Sequence, residues 1–451
     1  MFVKICSILI FLLFASSSEG SSRLGIDELF RKLSCKESGI RFKNALRPTE
    51  TENMISFINF YTGAGVGVLD INNDGLQDIY FAGNQVTSRL YINMGNLRFE
   101  DITYAAGVET DKWITGVSII DINQDGFDDI YLSVSGKIES GNLGNLLFIN
   151  NRDNTFSEKA REFQLDIAEQ ITHASFFDFD HDGDLDVFLI TNPTDFKLNS
   201  NAPLQKPCKN GTSKGTDILL RNEGNRKFTN VSFKSGITIE GYSLGLNTSD
   251  FNNDGWTDIY VSNDYISNDI LYINNGDGTF TDRLGQFFNY TSFASMGNDA
   301  GDINNDGLID LVTLDMLPES SIRQKLIVGS RTLNSYKFTI NLGYFPQFSR
   351  NMLQLNNGNN SFSEIGRLAG ISESDWTWAP LIADFDNDGY KDLFVTTGFR
   401  KDMGNMDFIY KTVNSPFKKG CESIPLSEQL DAIQKCDGVP VINYIFTLLS
   451  D

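Results

Sequence analysis

The chain repeats a short module in which an acidic, polar stretch interrupts apolar residues. Around the first copy the sequence reads "GVGVLD", "INNDGLQD", "IYFAGN" and "RLYINMGNLRFEDIT". The apolar and β-branched segments are separated by turn residues, so each module predicts four β-strands. The runs that follow later acidic stretches, such as "IYLSV" and "VFLIT", are almost continuously apolar. Such runs are typical of a strand that is covered on both faces.

The acidic stretch is a nonapeptide that occurs six times. The copies begin at Asp70, Asp121, Asp178, Asp250, Asp302 and Asp384. A period near 50 residues is typical of a propeller blade. A four-stranded sheet that cannot cover both of its faces alone packs against its neighbours around a central axis. The sequence therefore predicts an all-β propeller of four-stranded blades, with one acidic loop in each blade.

Two spacings between copies are longer than the others and locate insertions. One insertion begins at Asn192, and the other extends from Leu317 to Tyr344 and includes "PESSIRQKLIVGSR". We expect a short helix in the second insertion. Long loops on a rigid scaffold often carry partner contacts, and tolerated surface decoration explains them equally well.

The nonapeptide has the residue types of a calcium loop. Oxygen-bearing side chains occupy positions 1, 3, 5 and 9, glycine at position 6 allows a tight turn, and position 7 offers a backbone carbonyl. The predicted ligands are Asp70, Asn72, Asp74, Leu76 and Asp78; Asp121, Asn123, Asp125, Phe127 and Asp129; Asp178, Asp180, Asp182, Asp184 and Asp186; Asp250, Asn252, Asp254, Trp256 and Asp258; Asp302, Asn304, Asp306, Leu308 and Asp310; and Asp384, Asp386, Asp388, Tyr390 and Asp392. Hard oxygen ligands predict Ca²⁺, about six ions in all.

The flanks of these loops exclude an EF-hand. No Glu follows at position 12, and the neighbouring segments are strands instead of helices. The third and sixth loops, which begin at Asp178 and Asp384, each have four carboxylates at the ligand positions. We expect these two to bind calcium most tightly. In every copy, close carboxylates repel one another unless a cation neutralises them.

Charge restricts the partners. The 451 residues have a formal net charge of -22, which argues against nucleic acid and anionic membranes, because both require a basic surface. The first twenty residues combine one Lys, a short apolar run and small residues, as in a cleavable secretory signal. The run is too short to span a bilayer, and no later segment is long enough. We expect a secreted or cell-surface protein, on the periplasmic side or outer-membrane surface if it is bacterial.

These patterns give the expected domain boundaries. The signal covers residues 1–20, an N-terminal segment covers 21–56, the propeller covers 57–400, and a C-terminal extension covers 401–451. The cysteines outside the signal are Cys35, Cys208, Cys421 and Cys436. A Cys421–Cys436 disulfide and four unpaired thiols are both compatible with their spacing.

The nonapeptides resemble the FG-GAP/VCBS-repeat family of calcium-loop propellers, which includes the integrin alpha-subunit head. "TLDMLPE" and "DWTWAPLIADFDNDGYKDLFVTTG" are similar to segments of secreted bacterial relatives of cartilage acidic protein, whose propeller is usually followed by an ASPIC/UnbV domain. The resemblance implies seven blades, so we expect "NYIF" near the C-terminus to begin a truncated seventh blade. A closed six-bladed ring is the alternative.

Two classes of function fit this reading. The first is a non-catalytic, calcium-stabilised extracellular scaffold for recognition or adhesion, with an unidentified protein or glycan ligand and an undetermined oligomeric state. The second is an extracellular glycan-processing enzyme. Only His173 and His181 offer a histidine base. His173 is expected to precede a strand and to be structural, and His181 is expected to be a solvent-facing side chain of its loop. Trp376 and Trp378 are interpreted as packing residues, with a sugar-stacking platform as the alternative.

Overall fold

The structure is a computed structural model, and it describes residues 30–49, 51–53, 57–136, 143–193, 204–327, 333–399, 405 and 444–447. The expected signal peptide, Cys421 and Cys436 lie outside these residues. Cys35 and Cys208 are both free thiols. The pairing of Cys421 with Cys436 stays a prediction.

Five modules fold into four-stranded antiparallel sheets in which consecutive strands are neighbours, as the sequence predicted. The strands of the first sheet are β1 (Val66–Leu69), β2 (Asp78–Phe81), β3 (Arg89–Asn93) and β4 (Phe99–Asp101); of the second, β5 (Ile114–Ile120), β6 (Asp129–Val134), β7 (Leu146–Asn150) and β8 (Phe156–Glu158); of the third, β9 (Ile171–Phe177), β10 (Asp186–Thr191), β11 (Ile218–Asn222) and β12 (Phe228–Asn230). The fourth contains β13 (Ser243–Ser249), β14 (Asp258–Asn263), β15 (Ile270–Asn274) and β16 (Phe280–Asp282); the fifth contains β18 (Asn298–Gly301), β19 (Asp310–Thr313), β21 (Met352–Asn356) and β22 (Phe362–Glu364), and the short strands β17 (Thr291–Ser292) and β20 (Gln347–Phe348) pair in parallel beside it.

The sixth sheet differs from the expectation for the C-terminal segment. It consists of β23 (Thr377–Ala383), β24 (Asp392–Thr397) and β25 (Tyr444–Thr447). The last strand contains "YIF" of the segment that was expected to begin another blade. It instead pairs antiparallel with β24, as the third strand of this sheet. This pairing gives β24 the backbone partners that a second strand needs.

The second strands form the buried centre of the sheets. Every residue of β6, β10 and β14 is buried, which confirms the prediction of strands covered on both faces. Their continuous apolar sequence follows from this position, because neither face meets solvent.

The described residues divide into two compact units. Unit 1 lies within residues 1–46, 63–134 and 144–168 and contains the first and second sheets. Their facing side chains form one core, with Leu69, Tyr80 and Leu90 from the first sheet and Ile130 and Phe148 from the second. The first strands β1 and β5 lie next to each other.

Unit 2 lies within residues 47–62, 135–143 and 169–451 and contains the third to sixth sheets. Successive sheets share a core in the same way. Phe188 packs with Tyr272 between the third and fourth sheets, and Val312 belongs to the same cluster as Leu393 between the fifth and sixth. The first strands β9, β13, β18 and β23 follow one another side by side.

The helices of the described residues are short. They are α1 (Cys35–Ser38), α2 (Thr103–Ala106), α3 (Ala160–Phe163), α4 (Leu284–Phe287), α5 (Ser321–Ile327) and α6 (Leu333–Leu342), with one 3-10 turn at Ile58–Tyr61. Helices α5 and α6 both belong to the second insertion, where the sequence predicted a helix. Among the described helices, none has the length and apolar character that crossing a membrane requires.

Candidate functional site

Each nonapeptide joins the first strand of its sheet to the second. In the first sheet, β1 ends at Leu69, and the loop runs from Asp70 to Asp78, where β2 begins. The other five copies occupy the same place in their own sheets. Position 1 therefore follows a strand directly, and position 9 is the first residue of a buried strand.

Two positions of every loop have left-handed backbone conformation. Glycine at position 6 has a φ of +83° at Gly75 and +93° at Gly183, and no atom lies close to where its Cβ would be. Glycine is therefore favoured at position 6 by the left-handed backbone conformation and not by a lack of room for a side chain. Position 4 is also left-handed, and its residues are Asn73, Gln124, His181, Asn253, Asn305 and Asn387. The sequence analysis missed this position, and its frequent asparagine was the available signal.

The carboxylate at position 1 holds the loop together. In the first loop, the backbone N–H of Asp74 donates to Asp70 Oδ1 at 3.1 Å, and that of Gly75 donates to Oδ2 at 2.8 Å. The same pair of bonds occurs in the other five loops. The carboxylate at position 1 thus accepts the hydrogen bonds that hold the turn, and its remaining lone pairs are available to coordinate a cation.

The carboxylate at position 9 also ties the loop to the sheet. Asp129 Oδ2 accepts the N–H of Ile122 at 3.3 Å, and its Oδ1 accepts the N–H of Asn150 in β7 at 2.8 Å. The first five loops share both bonds. Burial raises the pKa of Asp129 and Asp186 to about 7, while these hydrogen bonds act in the opposite direction. Sequence reasoning recognised position 9 only as a ligand, and that role stays a prediction.

Positions 3 and 5 divide the loops into groups. In the first loop, Asn72 Nδ2 donates to Asp74 Oδ2 at 3.0 Å, so a neutral amide partly offsets the carboxylate. Asn252 and Asn304 make the same bond to Asp254 and Asp306 in the fourth and fifth loops, at 2.7 and 2.9 Å.

The third and sixth loops have aspartate at position 3, which offers no amide donor. Carboxylate oxygens from positions 1, 3 and 5 lie within 4.8 Å of one another, in the triads Asp178, Asp180, Asp182 and Asp384, Asp386, Asp388. Burial, followed by the charges of Asp182 and Asp178, raises the pKa of Asp180. One oxygen of Asp180, Oδ1, is buried without a hydrogen-bond partner. A buried oxygen without a partner among converging carboxylates fits a hard divalent cation.

Side chains link neighbouring loops within each unit. Asn73 at position 4 of the first loop donates to the carbonyl of Gly126 in the second at 2.8 Å, and Asn305 in the fifth donates to Gly389 in the sixth at 3.0 Å. His181 of the third loop stacks on Trp256 of the fourth, with ring centroids 4.0 Å apart. His181 is exposed, as expected, but its ring has a packing role that the sequence did not indicate.

A second repeated polar position precedes the third strand of five sheets, and the sequence analysis did not identify it. Its residues are Ser88, Asn145, Asp217, Asp269 and Asn351, all buried. Each accepts a backbone N–H from the last residue of the second strand or from two residues beyond it, at 2.8 to 3.1 Å. The residue is serine, asparagine or aspartate in different repeats, so no single residue type marks this position in the sequence.

The candidate enzyme residues have structural surroundings. His173 lies within β9, not before a strand as expected, and burial lowers its pKa to about 4. The Trp376 ring stacks on Phe399 at 4.1 Å, and Trp378 Nε1 donates to the Gly398 carbonyl at 2.7 Å. Both tryptophans are half-buried, which agrees with the packing interpretation.

The comparisons with known proteins give a family and a general likeness. The family described as FG-GAP-like repeat matches residues 70–132, 134–189, 250–313 and 342–395. None of the curated proteins matches the chain.

Two solved structures are similar to this chain at low identity. The V. cholerae biofilm matrix protein Bap1 is 11% identical with a TM-score of 0.36, over 75% of this chain and 45% of that one. The Bacillus licheniformis rhamnogalacturonan lyase PL11 is 14% identical with a TM-score of 0.31, over 73% of this chain and 59% of that one. The chain thus spans about half the length of these two solved structures. With TM-scores this low, neither structure supports an inference about the function of this chain.

Proposed function

This chain belongs to the FG-GAP-like repeat family, and on that premise we propose that it is a calcium-stabilised, non-catalytic extracellular scaffold for recognition or adhesion. The proposal includes secretion and a propeller arrangement of the four-stranded sheets. Side-by-side first strands and shared cores between successive sheets within each unit support that arrangement.

The convergence of carboxylates in the third and sixth loops carries the proposal. Calcium would be held there by side-chain oxygens of positions 1, 3 and 5, and it supplies the positive charge that lets these carboxylates lie close together. The buried, unpartnered Oδ1 of Asp180 supports the same role. Because the loops connect the strands that build the core, binding energy becomes folding energy.

The test is thermal unfolding of the full chain in excess Ca²⁺, in excess Mg²⁺ and with a chelator. We expect Ca²⁺ to raise the melting temperature and Mg²⁺ to do so less, since Mg²⁺ dehydrates reluctantly. A ligand at one hundred times its dissociation constant stabilises by about 3 kcal/mol per site. The control is the double variant D180N and D386N, which removes one carboxylate from each triad. A variant with an unchanged calcium response would contradict the assignment of these loops.

The surroundings of the two histidines support a non-catalytic role. His173 is half-buried within β9 and has a lowered pKa, and His181 stacks on Trp256. Incubation of the chain with extracellular polysaccharides, followed by measurement of new reducing and unsaturated ends, tests this part of the proposal. Retention on a polysaccharide or protein without product formation is the expected result, and product formation abolished by substitution of the chain's own acidic residues would overturn it.

A further inference from the structure

Among the five repeats whose turn after the third strand is described, the second differs from the other four at this turn. In the first, third, fourth and fifth repeats, this turn contains a left-handed glycine, namely Gly95, Gly224, Gly276 and Gly358, with φ between +68° and +82°. The equivalent residue of the second repeat is Arg152, with a φ of +66°. A residue other than glycine costs roughly 1–2 kcal/mol in this conformation. The arginine therefore has to be offset by contacts of its side chain.

The geometry of the glycine repeats shows where a side chain at this position would point. A Cβ placed on Gly276 would lie 2.9 Å from Trp256, and one on Gly358 would lie 3.7 Å from Leu308. In the third repeat, a Cβ on Gly224 would lie 3.8 Å from Asp184 Oδ2. All three neighbours are position 7 of the same repeat's acidic loop. In these three repeats the turn thus directs its side chain at that loop, whereas a Cβ on Gly95 of the first repeat would meet no atom within 4 Å.

Arg152 uses this direction to reach the second loop. Its guanidinium lies 2.9 Å (NH2) and 3.2 Å (Nε) from Asp125 Oδ2, and its Cζ is 5.5 Å from the centroid of the Phe127 ring. Asp125 is position 5, and only 16% of its side chain is exposed. Two N–H groups on one carboxylate oxygen form a charge-assisted contact, between an arginine side chain that is 56% exposed and this mostly buried carboxylate.

Arg152 contacts Oδ2 of position 5, an atom that has only a neutral hydrogen-bond donor in three other loops. Oδ2 of position 5 accepts a neutral amide in the first, fourth and fifth loops, through Asn72, Asn252 and Asn304. In the second loop the same atom has a full positive charge fixed to the chain. A divalent cation would have to displace the guanidinium or lie beside it, and like charges at that distance repel.

We propose that Arg152 is a tethered counter-ion that takes the place of calcium in the second loop, so that the chain binds five calcium ions and not six. This inference rests on the proposed calcium-stabilised function. It makes the second sheet the one whose loop is neutralised without metal.

The test counts bound calcium by equilibrium dialysis against ⁴⁵Ca²⁺, on the full chain and three variants. R152G installs the glycine that the first, third, fourth and fifth repeats have at this turn, and it is expected to bind one more ion than the wild-type chain. R152Q keeps a long side chain at the left-handed position but removes the charge, and it is also expected to bind one more ion. It therefore separates the effect of the charge from the effect of relieving backbone strain. K159Q removes a different positive charge of the second sheet, one that pairs with Glu162 at 2.8 Å, and is expected to leave the count unchanged.

The outcomes separate this inference from the proposed function. Five ions in the wild-type chain and six in R152G support it. Six ions in both would overturn it and leave the calcium scaffold standing, whereas no bound ion in any protein would overturn both. The reciprocal variant G224R is expected to remove one ion from the third loop, and an unchanged count there would also contradict the inference.

Discussion

The second and third repeats have the same strands and the same loop backbone, but they neutralise their acidic groups differently. The second repeat holds Arg152 against Asp125 and places the neutral Asn145 before its third strand. The third repeat brings Asp178, Asp180 and Asp182 together and buries the carboxyl group of Asp217 at the position equivalent to Asn145.

The comparison shows that the same repeat fold can neutralise its acidic groups in two ways. Backbone hydrogen bonds to positions 1 and 9 build the loop in both repeats, so the turn does not depend on how the remaining charge is balanced. A tethered cation supplies that balance in the second repeat. In the third it has to come from solution or from protonation, which makes this repeat the more sensitive to conditions.

The largest effect is expected from D217N. Burial raises the pKa of Asp217 to about 7, from 3.8 in an unperturbed chain. Between these two values the folded protein retains a proton that the unfolded chain has lost, so stability falls as the pH rises through this window. Asparagine preserves the shape and cannot ionise. At saturating Ca²⁺, we expect the free energy of unfolding of D217N to exceed that of the wild type by about 4 kcal/mol at pH 8 and to equal it at pH 4. Denaturant unfolding at both pH values measures it.

The matched control for this prediction is N145D. It places a carboxyl group at the equivalent buried position of the second repeat, and it should create the pH dependence that D217N removes. A difference between D217N and wild type that does not change with pH would contradict the argument.

The next effect compares position 1 of the two loops, through D178A and D121A. Each variant loses the acceptor for two backbone N–H groups, at 3.0 and 3.1 Å in the third loop and at 2.7 and 2.9 Å in the second. With a chelator, we expect each to lose about 1 kcal/mol of unfolding free energy, because water can replace the lost acceptor in these exposed loops. With Ca²⁺, D178A should lose about 2 kcal/mol more and D121A should not, because only the third loop loses an ion. Equal calcium responses of the two variants would remove the distinction between the loops.

A smaller effect tests the part that the loops share. G183A and G126A replace glycines with φ of +93° and +84°, and the Cβ meets no atom within 4 Å. We expect each to cost about 1–2 kcal/mol from backbone strain alone. The cost should be the same in both repeats and the same with Ca²⁺ or chelator, as measured by denaturant unfolding. A calcium-dependent cost would show that glycine at position 6 acts through the ion.

The smallest effect converts the third loop to the pattern of the first. D180N supplies an amide that can donate to Asp182, as Asn72 donates to Asp74. With a chelator, we expect D180N to gain about 1 kcal/mol, because one repelling charge is lost and one hydrogen bond is added. Its melting temperature should then respond less to Ca²⁺ than that of the wild type. N123D in the second loop is the reverse change, and stabilisation of N123D in chelator would contradict the repulsion argument.

Much of the fold and part of the site could be predicted from the sequence. The apolar segments separated by turn residues predicted the four-stranded sheets, and glycine at position 6 predicted the turn, because both depend on neighbours along the chain. The role of position 9 was only half visible, since its acceptor bond to the third strand joins Asp129 to Asn150, which are far apart in sequence. His181 appeared as an exposed loop residue, and its partner Trp256 belongs to the next repeat.

What the sequence by itself determined is local: where each acidic loop lies, which strands it joins, and which residue types it offers to a cation. Periodicity and turn chemistry act over a few residues and need no partner. Only the tertiary structure decided how the charges are balanced, because this depends on side chains brought together by the sheet. Arg152 meets Asp125 across 27 residues of chain, and Tyr444–Thr447 pairs with β24 across a gap of more than 40. Sheet pairing is set by which edges are free and which faces need covering, so neither contact has a signature in the residues around it.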